Sequence, residues 1–247
     1  MLFPTLEQRI AMQSPPDQMP IMKQNWRELL FLHWKYPSSV LQSLVPKGLF
    51  IDTFQDEAYI GIVPFLMRDV KPIFFGSLGG SNFCELNLRT YVYDENGIPG
   101  VWFFSLDANH WLSVQMATIF FHLPYHYSTM SAQKSNDFID YFCSRGEGET
   151  TVFSYKQTKT LGKAVPETLE FFLIERYLLY AANSSGKIYK GRIHHKPYEL
   201  SEVVVKTWDE SVLTWNGIAK TGRAPDHLIF SKGVDVQAYP IQAANRA

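Results

Sequence analysis

Three side chains capable of chemistry stand two residues apart at Glu85, Asn87 and Arg89, within SNFCELNLRTYVYDENGIPGVWFFSLD, residues 81–107. A carboxylate, an amide and a guanidinium in one row can move a proton, orient a carbonyl and clamp an anion. Period-two alternation puts the three on one strand face with Phe83, Tyr91 and Tyr93. Cys84, Leu86, Leu88, Thr90 and Val92 take the other face. Charges set between aromatics describe either a solvated surface or the wall of a polar pocket. The bland alternative is a structural ion pair, Glu85 with Arg89 or with neighbouring charges, which a fold can keep without any reaction.

Other constellations carry less. His194 and His195 are adjacent, and on a strand neighbours point to opposite faces, so the two cannot share one metal ion. No Cys or His spacing resembles a zinc site, so no metal is expected. Gly76-Ser77-Leu78-Gly79-Gly80 lacks the Lys-Ser/Thr pair and helix start of a phosphate cradle and reads as a flexible loop. Ser105, Asp107 and His126 compose a Ser-His-Asp set on paper, but nothing around Ser105 resembles a nucleophile elbow. His33 and His122 sit among apolar residues and read as structural.

The elements that must position these groups follow from pattern and punctuation. Residues 1–24 are expected to wrap the surface, with a short helix at Leu6–Gln13. NWRELLFLHWKY (25–36) reads as a buried strand, and Ser38–Val45 as a short helix entered at Pro37 and ended by Pro46. Ala58–Met67 reads as a strand in which Pro64 implies an edge or a bulge. The central pair of strands turns at Asn96-Gly97. A helix is expected over Asn109–Phe121 with Trp111, Val114, Met116, Ile119 and Phe120 inward, then strands at Tyr125–Ala132, Asn136–Arg145 and, after a turn at Gly146–Glu149, Thr150–Lys156. Pro166–Ala181 has the best helical spacing, with Leu169, Phe172, Leu173, Arg176 and Tyr180 on one side and Glu175 and Arg176 anchoring its edges. Lys187–His194, Tyr198–Trp208 and His227–Pro240 read as strands, with a short helix at Val212–Ile218. Many strands with few helices and no βαβ alternation predict a β-rich α+β fold, not a doubly wound sheet.

Composition bounds the function. The chain has 247 residues, 46% of them hydrophobic and 15% aromatic, with a net charge of −1. That is enough for one large packed domain, 1–247, with no linker of Ser, Gly or Pro to divide it. No basic stripe suggests nucleic acid. The two cysteines, Cys84 and Cys143, lie in apolar segments and are expected as buried free thiols of a reducing compartment. MLFPTLEQRI lacks the pattern of a signal peptide, and no apolar run approaches the ~18 residues of a membrane helix. A cytoplasmic protein is the expectation. Strand edges and aromatic surface make a homo-oligomer plausible.

WRELLFLHWKYP, VPKGLFIDTFQDEAYIGIVPFLM, FCELNLRTYV, GVWFFSLDA, LPYHY, ERYLLY and HHKPYEL together resemble the YqjF-like family of bacterial proteins, from Trp26 to Pro240. That family is similar in fold to acetoacetate decarboxylase. The resemblance implies a strongly bent antiparallel sheet, forming a barrel-like cone around a central cavity with a few flanking helices. Arg27 falls where the decarboxylase carries an active-site arginine, and Glu85 where it carries an inward-facing catalytic glutamate. Gly61 falls where it carries a second glutamate, which is therefore missing. The decarboxylase has Tyr-Pro-Lys-Lys at the place of LPYH, 123–126, and its Schiff-base nucleophile is the first lysine. Here Tyr125 and His126 stand instead. A Schiff base needs a primary amine, activated by a neighbouring cation, and neither phenol nor imidazole can form the imine.

The resemblance therefore implies a cavity walled by Glu85, Asn87 and Arg89. The hairpin folds Asp107 and Ser105 back towards it, and Arg27, Tyr125 and His126 come from neighbouring walls. A small anionic or carbonyl-bearing molecule is the expected ligand, with no cofactor. Glu85, His126 and Tyr125 are the candidate acid–base groups of a lyase- or hydrolase-like catalyst without a Schiff base. Arg27, Arg89, Asn87 and Asp107 are the candidate binding groups. The alternative is a non-catalytic ligand-binding or interaction protein whose polar cavity residues are structural; it predicts that Glu85, Arg89 and Asp107 are hydrogen-bonded to one another, with no pocket for more than a few waters.

Overall fold

The computed structural model describes residues 2–73, 80–146 and 148–244. Residues 76–79 of the glycine loop, and Glu147 in the expected turn, lie outside them, as do the side chains of Met116, Ile119 and Phe120. Fourteen strands and five helices follow in order: α1 (Leu6–Ala11), β1 (Met22–Lys35), α2 (Ser38–Leu44), β2 (Leu49–Ile51), β3 (Tyr59–Pro72), β4 (Ser81–Asp94), β5 (Pro99–Ala108), α3 (Trp111–Phe121), β6 (Tyr125–Tyr127), β7 (Thr129–Ser135), β8 (Phe138–Arg145), β9 (Glu149–Gly162), α4 (Leu169–Ile174), β10 (Leu178–Ala182), β11 (Ile188–His194), β12 (Leu200–Thr207), α5 (Ser211–Trp215), β13 (His227–Ala238) and β14 (Gln242–Ala243).

The strands form one strongly bent sheet. Its ladder runs β11–β10–β5–β4–β3–β1–β13 and returns to β11 through Ile193↔Ala238 and His194↔Gln237, so these seven strands close a ring. Pairing is antiparallel except where β10 and β6 each join β5 in parallel. At β13 the sheet forks. Leu200↔Ser231 and Ser201↔Phe230 start a second arm, β12–β9–β8–β7. This arm packs against the outside of the ring wall: the Tyr141 hydroxyl donates to the Glu85 carbonyl at 2.7 Å and the Tyr155 hydroxyl to the Glu28 carbonyl at 2.8 Å.

Two main cores result among the described residues, one on each face of the wall, with a third small cluster at Leu106, Leu123 and Ala181. Outside, Leu30, Leu32, Leu86 and Leu88 pack with Tyr141, Phe153 and Tyr155 of the arm. Inside, Leu29, Phe31, Val63, Phe65 and Tyr91 pack with Phe172 and Tyr198. Burying each large apolar side chain is worth about 1.5–3 kcal/mol. The apolar outer face of β4 therefore fixes its register, because a slip of one residue would drive Glu85, Asn87 and Arg89 into the outer core.

One local feature bears out sequence expectation and one departs from it. Pro64 sits in a central strand, so of the edge or bulge that it implies the bulge is the one present. Opposite it β1 bulges between Arg27 and Leu32, with Glu28 at φ +55°, so the missing proline N–H faces an interrupted ladder. The helix expected over Pro166–Ala181 holds only for Leu169–Ile174, capped by the Thr168 hydroxyl. Its second half is recruited as β10 between β5 and β11, because sheet pairing there closes the ring. Cys84 and Cys143 are buried free thiols. No helix among the described residues is long and apolar enough to cross a membrane.

Candidate functional site

The ring encloses a cavity of about 240 Å³, larger than a ~150 Å³ engineered void that takes up benzene. Its walls are mainly apolar: Trp26, Leu29 and Phe31 from β1, Phe65 from β3, Phe103 and Leu106 from β5, with Phe83 from β4. Against this lining β4 presents Glu85, Asn87 and Arg89 in a row. Strand rise separates the first and last Cα atoms by ~13 Å, so the row gives the cavity a carboxyl end and a guanidinium end.

At the carboxyl end Glu85 is 3% exposed and accepts a hydrogen bond from the Tyr125 hydroxyl at 2.8 Å. Burial raises its pKa to about 8; the Tyr125 bond opposes that rise and the negative charge of Asp107 adds to it. Glu85 is therefore a neutral acid at pH 7, able to donate as well as accept. Burial and the neighbouring carboxyl likewise push the Tyr125 phenol well above its usual value. The phenol thus stands against Glu85 where the resemblance puts an amine. Among the described residues no lysine lines the cavity. At Gly61 the second carboxylate has no room: a Cβ there would come within 2.9 Å of the His33 ring.

At the other end Arg89 is 8% exposed and makes no ion pair among the described residues. Its Nη2 donates to the Leu173 carbonyl at 3.3 Å, its Nε has no partner, and its guanidinium lies over the Phe31 and Tyr91 rings. Between the two ends the Asn87 side-chain oxygen is buried without a partner. Tyr198, Arg176 and Arg192 add to the polar lining, with Gln24, His110 and Tyr239.

The remaining sequence candidates sit elsewhere, each for a local reason. Arg27 is turned outward by the bulge at Glu28 and pairs with Asp235 at 2.5 Å. Asp107 pairs across the ladder with Leu86, and Ser105 with Leu88, so both share the outer face of β4, not the cavity face. Asp107 is held by Arg145 Nε at 2.8 Å, Arg145 Nη2 at 2.5 Å and the Ser128 hydroxyl at 2.7 Å. Ser105 accepts from the Asn216 amide. His126 neighbours Asp107 in register and reaches the surface; partial desolvation of its ring and the charge of Arg145 lower its pKa. The expectation that Arg27, Asp107 and His126 share a volume with Glu85 is thus corrected. So is the mutual bonding that the non-catalytic alternative predicts, since Glu85, Arg89 and Asp107 bond to three different partners around an open cavity.

His33 is buried between the Tyr91 hydroxyl and His227, with its pKa well below the usual value because of burial. His195 is buried and His194 partly exposed, bonded to the Gln13 carbonyl. Among the described residues no group of His, Cys, Asp and Glu could hold a metal ion. Arg176, with Arg192, is among the charged cavity residues that sequence reasoning missed. Its signal was a lone arginine inside the apolar run ERYLLY, hidden by the helical reading of that segment.

Comparison with known proteins agrees with this architecture. Residues 23–235 match the DUF2071 model, described as an uncharacterized conserved protein. The uncharacterized protein YqjF of Bacillus subtilis (strain 168) is 37% identical over 232 residues, covering 93% of this chain and 95% of YqjF. Acetoacetate decarboxylase from Legionella pneumophila superposes with a TM-score of 0.66 at 12% identity, over 99% of this chain and 96% of that one. The enduracididine biosynthesis enzyme MppR, in complex with pyruvate, gives 0.62 at 10% identity over 93% of each chain.

Proposed function

The chain belongs to the DUF2071 family on the acetoacetate-decarboxylase fold, and from that premise we propose that it binds a small carbonyl compound bearing an anionic group. The anion lies on Arg89 and the carbonyl reaches towards the Glu85–Tyr125 pair. The observation that carries this reading is a buried guanidinium with no carboxylate partner on the same cavity wall as a protonated acid. Leaving a charge unpaired in an apolar interior is costly, and a ligand anion removes that cost. Pyruvate, held by MppR on the same fold, has the chemistry described.

Glu85 is the proton-transfer group in this reading. As a neutral acid it hydrogen-bonds a carbonyl oxygen, stabilises negative charge developing there and can pass its proton to it. Tyr125 orients the carboxyl. Asn87, midway along the row, offers an amide to the same oxygen or its neighbour. The chemistry runs without an imine, because the cavity has no primary amine among the described residues.

Calorimetric titration with pyruvate and with acetone tests the proposal. Pyruvate binds and acetone, which lacks the anion, does not; Arg89→Met weakens pyruvate binding at least tenfold. Borohydride added to the pyruvate complex leaves the protein mass unchanged. Pyruvate affinity indifferent to Arg89→Met overturns the binding mode, and a reduced covalent adduct overturns the chemistry.

A further inference from the structure

Arg89 is not alone at its end of the cavity. Arg176 lines the same space, 7% exposed, although it belongs to the segment after α4. The two guanidinium groups are anchored on consecutive carbonyls of the same short stretch of backbone. Arg89 Nη2 donates to the Leu173 carbonyl at 3.3 Å, and Arg176 Nε donates to the preceding carbonyl, that of Phe172, at 2.6 Å. Both also lie over one ring, 5.7 and 4.9 Å from the centroid of Tyr91. Each keeps a buried nitrogen without a partner, Nε of Arg89 and Nη2 of Arg176.

The charge around them does not balance. Asp52, 3% exposed, is the carboxylate to which these groups bond among the described residues, and it is shared; the nearby Glu175 carboxyl is taken up by the Tyr177 hydroxyl and the Tyr198 N–H. Asp52 takes a bidentate contact from Arg9 of α1, with both distances 2.7 Å, and one bond from Arg176 Nη1 at 2.9 Å. Arg9 and Arg176 both stack on Phe172, 5.1 and 4.4 Å from its centroid. Two guanidinium groups thus share one carboxylate, and Arg89, over the same Tyr91 ring as Arg176, bonds to none among the described residues. Burial lowers the Arg176 pKa, to about 10, which leaves it charged at neutral pH. The carbonyls of Phe172 and Leu173 supply partial negative charge, not a counter-ion. Two positive charges remain on the cavity side of Asp52.

We propose that Arg89 and Arg176 form a two-guanidinium receptor for a doubly charged anion, so that the ligand carries two negative charges at this end of the cavity, as a dicarboxylate or a phosphate ester does. The proposal rests on the reading that this cavity binds an anion, and it names the class. A monocarboxylate satisfies one of the two unpartnered nitrogens' charges; a dianion bridges both. Arginine suits the role because its planar fork meets two oxygens at once.

Titration of the full chain with pyruvate, 2-oxoglutarate and inorganic phosphate tests this without any substitution. At least one of the two dianions binds tenfold or more tighter than pyruvate, and which one does so separates a dicarboxylate from a phosphoryl head group. Arg176→Met then lowers dianion affinity at least tenfold and changes pyruvate affinity less than threefold. This variant leaves Asp52 with its bidentate partner Arg9, and Arg176→Lys, which keeps the charge but loses the fork, restores part of the preference. Pyruvate binding as tightly as both dianions, or Arg176→Met acting equally on all three, overturns the two-charge receptor and leaves the single clamp at Arg89 standing. No binding by any of the three probes overturns both.

Discussion

The two faces of β4 solve the same problem, a buried charge beside an apolar core, in opposite ways. On the outer face Asp107, fully buried beside Leu86, is held by one bidentate edge of the Arg145 guanidinium, Nε and Nη2, and by the Ser128 hydroxyl. On the inner face Glu85 keeps its proton, Arg89 has no carboxylate, and Asn87 leaves an oxygen unbonded. One face hides its charges in a closed network. The other holds hydrogen-bonding capacity open in an enclosed space. A fold gains nothing from unsatisfied groups, so the contrast supports the proposed reading, in which the outer network serves stability and the inner row a ligand.

Breaking the closed network should have the largest effect. Arg145→Met leaves the Asp107 carboxylate buried without its cation, and removing one member of a buried pair costs ~3–5 kcal/mol. Urea denaturation should show that loss as a lower midpoint with an unchanged slope. A loss under about 1 kcal/mol would erase the distinction between the faces.

Glu85 sharpens the contrast through pH. Its pKa is about 8 in the folded chain against a usual 4.5, so between those values the folded state holds a proton that the unfolded state has released. Stability from this group is present in full below about pH 4.5 and declines as pH rises towards 8, by ~1.4 kcal/mol per unit. Glu85→Gln removes the slope and still accepts from Tyr125. The difference in unfolding free energy between the variant and the parent chain, measured from pH 5 to 8, should grow steadily in the variant's favour. A difference independent of pH would mean that Glu85 is solvated.

The alternation of β4 made the inner row legible from sequence, because one apolar face fixes where the other must point. The hairpin turn at Gly97, φ +74°, was legible for a similar reason, a single residue type suited to a positive φ. The misplaced candidates depended on register and long-range pairing. Arg27 changes sides because Glu28 adopts φ +55° in a bulge, which its residue type does not announce. Asp107 and Ser105 face outward because of which residues they oppose on β4, a matter of one position in the hairpin. Arg176 was missed because helical spacing over 166–181 is satisfied equally by a short helix that stops at Ile174 and a strand that closes the ring. Local pattern names the faces of an element; closure of the sheet decides which element it is.

The smallest expected effect is the sharpest test of the comparison. Arg89→Met removes a charge that no carboxylate balances. The variant loses one long hydrogen bond to the Leu173 carbonyl and contacts with Phe31 and Tyr91, together worth ~1–3 kcal/mol. It gains relief from burying an uncompensated guanidinium beside Arg176, a cost of similar size, and a thioether fills the apolar space. The net change in unfolding free energy without ligand should lie within ~1 kcal/mol of zero, although Arg89 is as deeply buried as many core residues. Denaturation of the ligand-free variant reads this directly. A loss as large as that of Arg145→Met would show that Arg89 already has its counter-charge within the chain, and the inner face would then be a second structural network, not a binding surface.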